Sequence, residues 1–195
     1  MPPDDLPAFA FGSLLSWRDW LAEHHRTSSG LWLKIAKKGA ATPTLSYAEA
    51  VDGALCYGWI DGQKGTLDDE YWLQRFTPRK PRSRWSKINR GKAERLIAEG
   101  RMQPAGLSEV EAARADGRWD AAYEGQATIA VPPDLARALD LNPVAKEFFA
   151  TLSGANRYAI LYRIQDAKRP QTRADRIAKY VAMLNEHETI HPATS

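Results

Sequence analysis

The stretch from Cys56 to Lys92, CYGWIDGQKGTLDDEYWLQRFTPRKPRSRWSKINRGK, limits what this chain can fold into more than any other. Gly58 follows a helical pattern and is placed to end it in a left-handed conformation. The runs Trp59–Lys64 and Tyr71–Thr77 then bracket Gly65 and the acidic trio Asp68, Asp69 and Glu70. Aromatic and β-branched residues on both sides of such a turn predict an antiparallel hairpin, which Pro78 ends. From Arg75 to Lys92 come eight cations with no Asp or Glu among them. The whole chain is only +3, so the remainder stands at −5 and the basicity is local. A local basic surface fits an anionic partner; its bland counterpart is a solvated face balanced by the acids just upstream.

Around that hairpin the chain of 195 residues reads as one substantial core with a smaller unit after it. Met1–Gly12, rich in Pro, is expected to be a flexible lead-in. Ser16 with Asp19 resembles a capping box for a helix from Trp17 to about His25, and Leu31–Ala36 reads as a strand. Ser46–Glu49 is a cleaner box, followed by Ala50, Val51, Ala54 and Leu55 at helical spacing. Ser86 or Asn89 caps a helix that runs to Glu99, and a Ser108–Glu111 box opens another that ends at Gly117. Together these two predict an αα-hairpin beside the sheet. Gly125–Pro133 reads as a linker. Helices then open at Pro133, at Asn142-Pro143, at Ser153 or Asn156, and at a Thr172–Asp175 box.

The expected class is therefore α+β: a small antiparallel sheet of about three strands with flanking helices, plus a helical C-terminal subdomain. The expected bounds are 13–124 and 134–188, with 1–12 and 189–195 as flexible tails.

Several kinds of chemistry are disfavoured. Hydrophobic residues make up 44% and charged residues 26%, as in ordinary folded soluble proteins. Cys56 is the single cysteine, so no intrachain disulfide and no cysteine-built zinc site can form. His24, His25, His187 and His191 make no metal-binding pair, and no phosphate loop or dinucleotide fingerprint occurs. No metal and no cofactor are expected. The N-terminus lacks a secretory pattern and no apolar run approaches the roughly 20 residues of a membrane span. A cytoplasmic location without membrane association is the expectation.

Taken together, these pieces resemble the YdeI/OmpD-associated family, also labelled bacteriocin-protection proteins. The resemblance is carried by Trp20-Leu21, Gly30–Ile35, Cys56–Gly62, Asp68-Asp69, Phe76–Arg79, Ser83–Asn89, Gly100–Gly106 and Gly117–Trp119. Ala167–Arg173 with Arg176-Ile177 carries it in the C-terminal part. It implies a role in stress or bacteriocin protection, and it brings no catalytic residue with it.

The leading site is the basic tract. Arg79, Lys80, Arg82, Arg84 and Lys87 interleave with Trp85, and Ser86 places a helix N-terminus beside them. Guanidinium forks and an aromatic face suit phosphate, carboxylate or a stacked base, so an anionic ligand or nucleic acid is the expected partner of a non-enzymatic protein. The alternative is a small-molecule enzyme or sensor whose aromatic pocket lies between the two subdomains and uses Trp59, Asp61, Tyr71 and Arg75. A third is a protein-interaction module, marked by an exposed apolar patch on the last helix. The oligomeric state is not specified by these features.

Overall fold

Leu31–Ala36 (β2) buries Leu31, Leu33 and Ile35 on one face and Trp32 on the other, and the first of the chain's two units forms around it. A computed structural model describes residues 6–192 and divides the chain into units 1–122 and 123–195. In the first unit β2 pairs antiparallel with Tyr71–Pro78 (β4), which pairs antiparallel with Trp59–Thr66 (β3). Ala8–Phe9 (β1) adds a fourth strand, parallel to β2, giving the order β1-β2-β4-β3. The expected sheet of about three antiparallel strands is thus one strand larger, and part of the expected lead-in is ordered. Two residues carry too little periodicity to announce a strand; their pairing comes from the exposed edge of β2. Residues 1–5 and 193–195, the outer parts of the expected tails, lie outside the described residues.

Leu14–His24 (α1) and Tyr47–Cys56 (α2) cover one face of the sheet. Leu31, Leu33, Ile35 and Phe76 from the strands meet Trp17, Leu21, Val51, Ala54 and Leu55 from the helices in one core. Ser46 and Glu49 form the expected capping box of α2, and Gly58 ends that region at φ +74°. The cap of α1 is Ser13, not Ser16.

Lys87–Ala98 (α3) and Pro104–Ala115 (α4) each pack against α2. Ser86 caps α3 by accepting from the Asn89 N–H at 3.1 Å. The start of α4 departs from expectation: Pro104 opens it, and Ser108 of the presumed capping box lies within the helix. Gly106 allows the closest approach, because a Cβ there would stand 2.4 Å from the Cys56 carbonyl oxygen and 2.6 Å from that of Leu55.

The second unit is helical, as expected: Pro133–Asp140 (α5), Pro143–Thr151 (α6), Gly154–Gln165 (α7) and Pro170–Asn185 (α8). Its separate core holds Leu135, Phe149, Ile160, Leu161, Ile164 and Leu184. Pro170 opens α8, so Thr172, expected as its cap, is helical instead. Arg173 grips Asp134 through two bonds of 2.6 and 2.9 Å, tying α8 to the first turn of α5.

Candidate functional site

The basic tract is held in place by its own aromatic residue. Trp85 is 1% exposed and belongs to the sheet–helix core, with its ring edge-on to Trp119 at 4.9 Å. The Arg79 guanidinium lies 3.5 Å from the Trp85 ring centroid, and Arg79 is itself only 6% exposed. Arg79 Nη1 also donates to the Arg84 carbonyl at 3.3 Å, bracing the loop from inside. Trp85 therefore has no face open to a base, and Arg79 works as an anchor.

Between these two anchors the chain makes a tight turn. The Lys80 N–H donates to Ser83 Oγ at 2.8 Å, and the Ser83 N–H donates to the Lys80 carbonyl at 2.8 Å. From outside, Arg118 Nη1 donates to the Ser83 carbonyl at 2.8 Å. Lys80, Arg82, Arg84 and Lys87 are exposed on this braced turn and on the first residue of α3. Ser86 is half-buried, its hydroxyl engaged as the cap.

The rest of the tract serves the fold. Lys92 Nζ reaches Asp52 Oδ1 at 2.6 Å, and Arg95 Nη2, beyond the tract, reaches Asp52 Oδ2 at 2.5 Å. Burial pushes the Asp52 carboxyl up, but the hydrogen bonds from Lys92 and Arg95 outweigh it and hold the group below its ordinary range. Arg90 donates to the Trp119 carbonyl at 3.3 Å. Of the eight cations, four are exposed side by side.

The residues of the alternative pocket do not converge. Asp61 pairs with Phe76 across the hairpin and so faces the helices, whereas Arg75 pairs with Trp32 and faces the other way. A β-bulge between Asp61 and Lys64 shifts the register, and the buried Gln74 amide fills it by donating to the Gly62 and Gln63 carbonyls at 2.9 and 3.2 Å. Asp61 accepts instead from the Tyr47 hydroxyl at 2.6 Å. Trp59 is 1% exposed and donates through Nε1 to the His25 carbonyl at 3.1 Å. Tyr71, near the other end of β4, donates to the Thr42 carbonyl at 3.0 Å. Asp61 and Arg75 of that pocket are therefore parted, because alternation puts the two side chains on opposite faces.

The other polar clusters are architectural. Asp68 Oδ1 accepts from the Glu70 and Tyr71 N–H groups at 2.9 and 2.7 Å, closing the hairpin turn. Burial pushes the Cys56 thiol above its ordinary value, which keeps it protonated and inert. In the second basic cluster, Arg173 holds Asp134 and Arg176 donates to the Arg163 carbonyl. Among the described residues no group of His, Cys, Asp and Glu is arranged to hold a metal, and no helix is long and apolar enough to cross a membrane.

The two units correspond to two family models. Residues 9–109 match a domain of unknown function (DUF8412), and residues 128–187 match the family described as Bacteriocin-protection, YdeI or OmpD-Associated. The chain belongs to the first of these families, whose model spans just over half of it, and its C-terminal segment matches the second. The resemblance seen in the sequence is thus shown, with its model confined to the C-terminal part; the motifs Cys56–Gly62 and Ser83–Asn89 fall within the DUF8412 match. Comparison with curated proteins and with solved structures returned no match. The braced basic turn therefore lies in the DUF8412 part, outside the segment whose description mentions bacteriocin protection.

One further feature had no counterpart in the sequence reading. A cavity of about 510 Å³ opens in the first unit between the end of α1, the end of α2 and the start of α4. His25, Arg26, Tyr57 and Gln103 line it together with Ala22, Pro104 and Ala105. In sequence these residues come from three separate places, two short clusters and the single Tyr57, with no motif linking them.

Proposed function

We propose that this protein is a non-enzymatic, cytoplasmic, stress- or bacteriocin-protection-type protein that binds a polyanion through the turn carrying Lys80, Arg82, Arg84 and Lys87. The observation that supports this reading is the bracing of the turn. Trp85 and Arg79 below it, and Arg118 beside it, hold four exposed cations on a short rigid segment. A pre-ordered cationic segment loses little conformational freedom on binding, and its field attracts phosphate or sulfate groups from a distance. Recognition is by charge, since Trp85 has no ring face free for stacking.

Fluorescence anisotropy with a labelled single-stranded oligonucleotide and with heparin tests the proposal at low salt. Wild type binds both, with log affinity falling linearly as log salt rises. The double variant Lys80→Glu/Arg82→Glu binds at least about tenfold more weakly, and its salt slope is shallower by about two. Failure of the wild type to bind, or equal binding by the folded variant, overturns the proposal.

A further inference from the structure

The cavity between α1, α2 and α4 has the composition of a binding site for a small anion. We propose that it binds a small organic carboxylate with an apolar body. Tyr57 is 8% exposed and lines the cavity, yet its hydroxyl makes no hydrogen bond to any described residue. That hydroxyl is also not sealed from solvent, as the Trp85 indole nitrogen is. The ring is thus buried while its polar tip reaches the open space. Here the open volume is where a partner would sit.

Three more groups converge on the same space. Arg26 is exposed, lines the cavity and pairs with no described carboxylate, so its fork is open to an incoming one. The His25 Nδ1 lies 2.8 Å from the Leu21 carbonyl, which can only accept, so Nδ1 carries a proton. Nε2 is left with no described partner and in the neutral ring can only accept, so the bonds to a carboxylate fall to Tyr57 and Arg26. The His25 ring lies 5.3 Å from that of Tyr57. The N-terminus of α4 supplies the last element. This helix has no side-chain cap, and Pro104 and Ala105 of its first turn line the cavity.

The geometry is held from behind. Trp59 of the Gly-Trp-Ile-Asp-Gly motif fixes the His25 carbonyl, and the Gln103 N–H donates to the Cys56 carbonyl at 3.0 Å. Gly106, pressed on the Leu55 and Cys56 carbonyls, admits no side chain and keeps the start of α4 against the end of α2. The ligand class follows from the lining. One permanent cation and one phenol match a single negative charge with planar oxygens, and Ala22, Pro104, Ala105 and the Tyr57 ring match an apolar body. A volume of about 510 Å³ lies within the roughly 300–1,000 Å³ of small-molecule sites.

Isothermal titration of the full chain with benzoate, hexanoate and inorganic phosphate provides the test. Saturable one-to-one binding of at least one of the two carboxylates is expected, with phosphate weaker by about tenfold or more. Tyr57→Phe keeps the ring against His25 and loses about tenfold in carboxylate affinity, the scale of one hydrogen bond to a charged group. Arg26→Gln loses at least as much. Lys80→Glu/Arg82→Glu binds the carboxylate as wild type does, because the basic turn is a separate feature. No saturable heat with either carboxylate, equal or tighter binding of phosphate, or full affinity in folded Tyr57→Phe overturns the proposal.

Discussion

Arg79 and Arg82 stand three residues apart in one basic run, and the fold gives them opposite tasks. Arg79 lies under the loop with its guanidinium on the Trp85 ring, while Arg82 is exposed. A desolvated cation–π contact is worth up to about 2 kcal/mol, and the buried Arg stem adds packing of its own. Arg79→Gln should therefore destabilise the protein by about 1–3 kcal/mol in urea denaturation, whereas Arg82→Gln should stay within about 0.5 kcal/mol of wild type. Polyanion affinity should follow Arg82. If Arg79→Gln leaves the denaturation midpoint unmoved, the anchoring role is wrong. In the sequence both are simply Arg within a tract. Burial at the level of one side chain depends on which way Trp85 turns, and no local spacing encodes that.

Among the elements, α3 depends on one carboxylate. Asp52 on α2 receives Lys92 and Arg95, the charge-assisted bonds described above, and its side chain is only 15% exposed. Its folded pKa is depressed from an ordinary 3.8. The clamp is then fully present above that ordinary value, and it is lost as pH falls through the lower folded value. In that window the unfolded chain takes up a proton that the native state refuses. Asp52→Asn should cost about 1–2 kcal/mol near neutral pH. Its stability curve should meet that of the wild type at the acid end of a pH series, and a gap that persists there contradicts the assignment. Element starts teach a related lesson. The Ser46–Glu49 box was legible and correct, yet Ser108–Glu111 and Thr172–Asp175 sit inside helices that Pro104 and Pro170 open earlier. A Ser/Thr-x-x-acid pattern is as compatible with an exposed helical face as with a cap. Proline at the first helical position is less ambiguous, since it lacks the N–H that a later position would need.

At the scale of the molecule, each unit has its own hydrophobic cluster, one around Trp17, Trp59, Phe76 and Trp85 and the other around Leu135, Phe149, Leu161 and Leu184. The second unit also closes on itself through the Asp134–Arg173 grip, where the bonds from Arg173 draw the Asp134 carboxyl below its ordinary value. A fragment of residues 123–195 should therefore fold alone, with helical circular dichroism and a cooperative thermal transition. A broad, non-cooperative loss of helix would show that its core is incomplete by itself.

The sequence by itself determined the α+β class, the helical C-terminal part, the hairpin built on Trp59–Lys64 and Tyr71–Thr77, and the YdeI/OmpD-associated resemblance that the C-terminal segment carries. Those features rest on local periodicity, turn chemistry and contiguous motifs, which neighbouring residues carry among themselves. Tertiary structure alone decided the added edge strand Ala8–Phe9, the bulge that Gln74 fills, and the separation of Asp61 from Arg75. It also decided that Trp85 and Arg79 of the basic tract are anchors for the exposed cations around them. The cavity of His25, Arg26, Tyr57 and Gln103 belongs to the same class. Its groups come from three places in the chain, and only the packing of α1, α2 and α4 makes them neighbours.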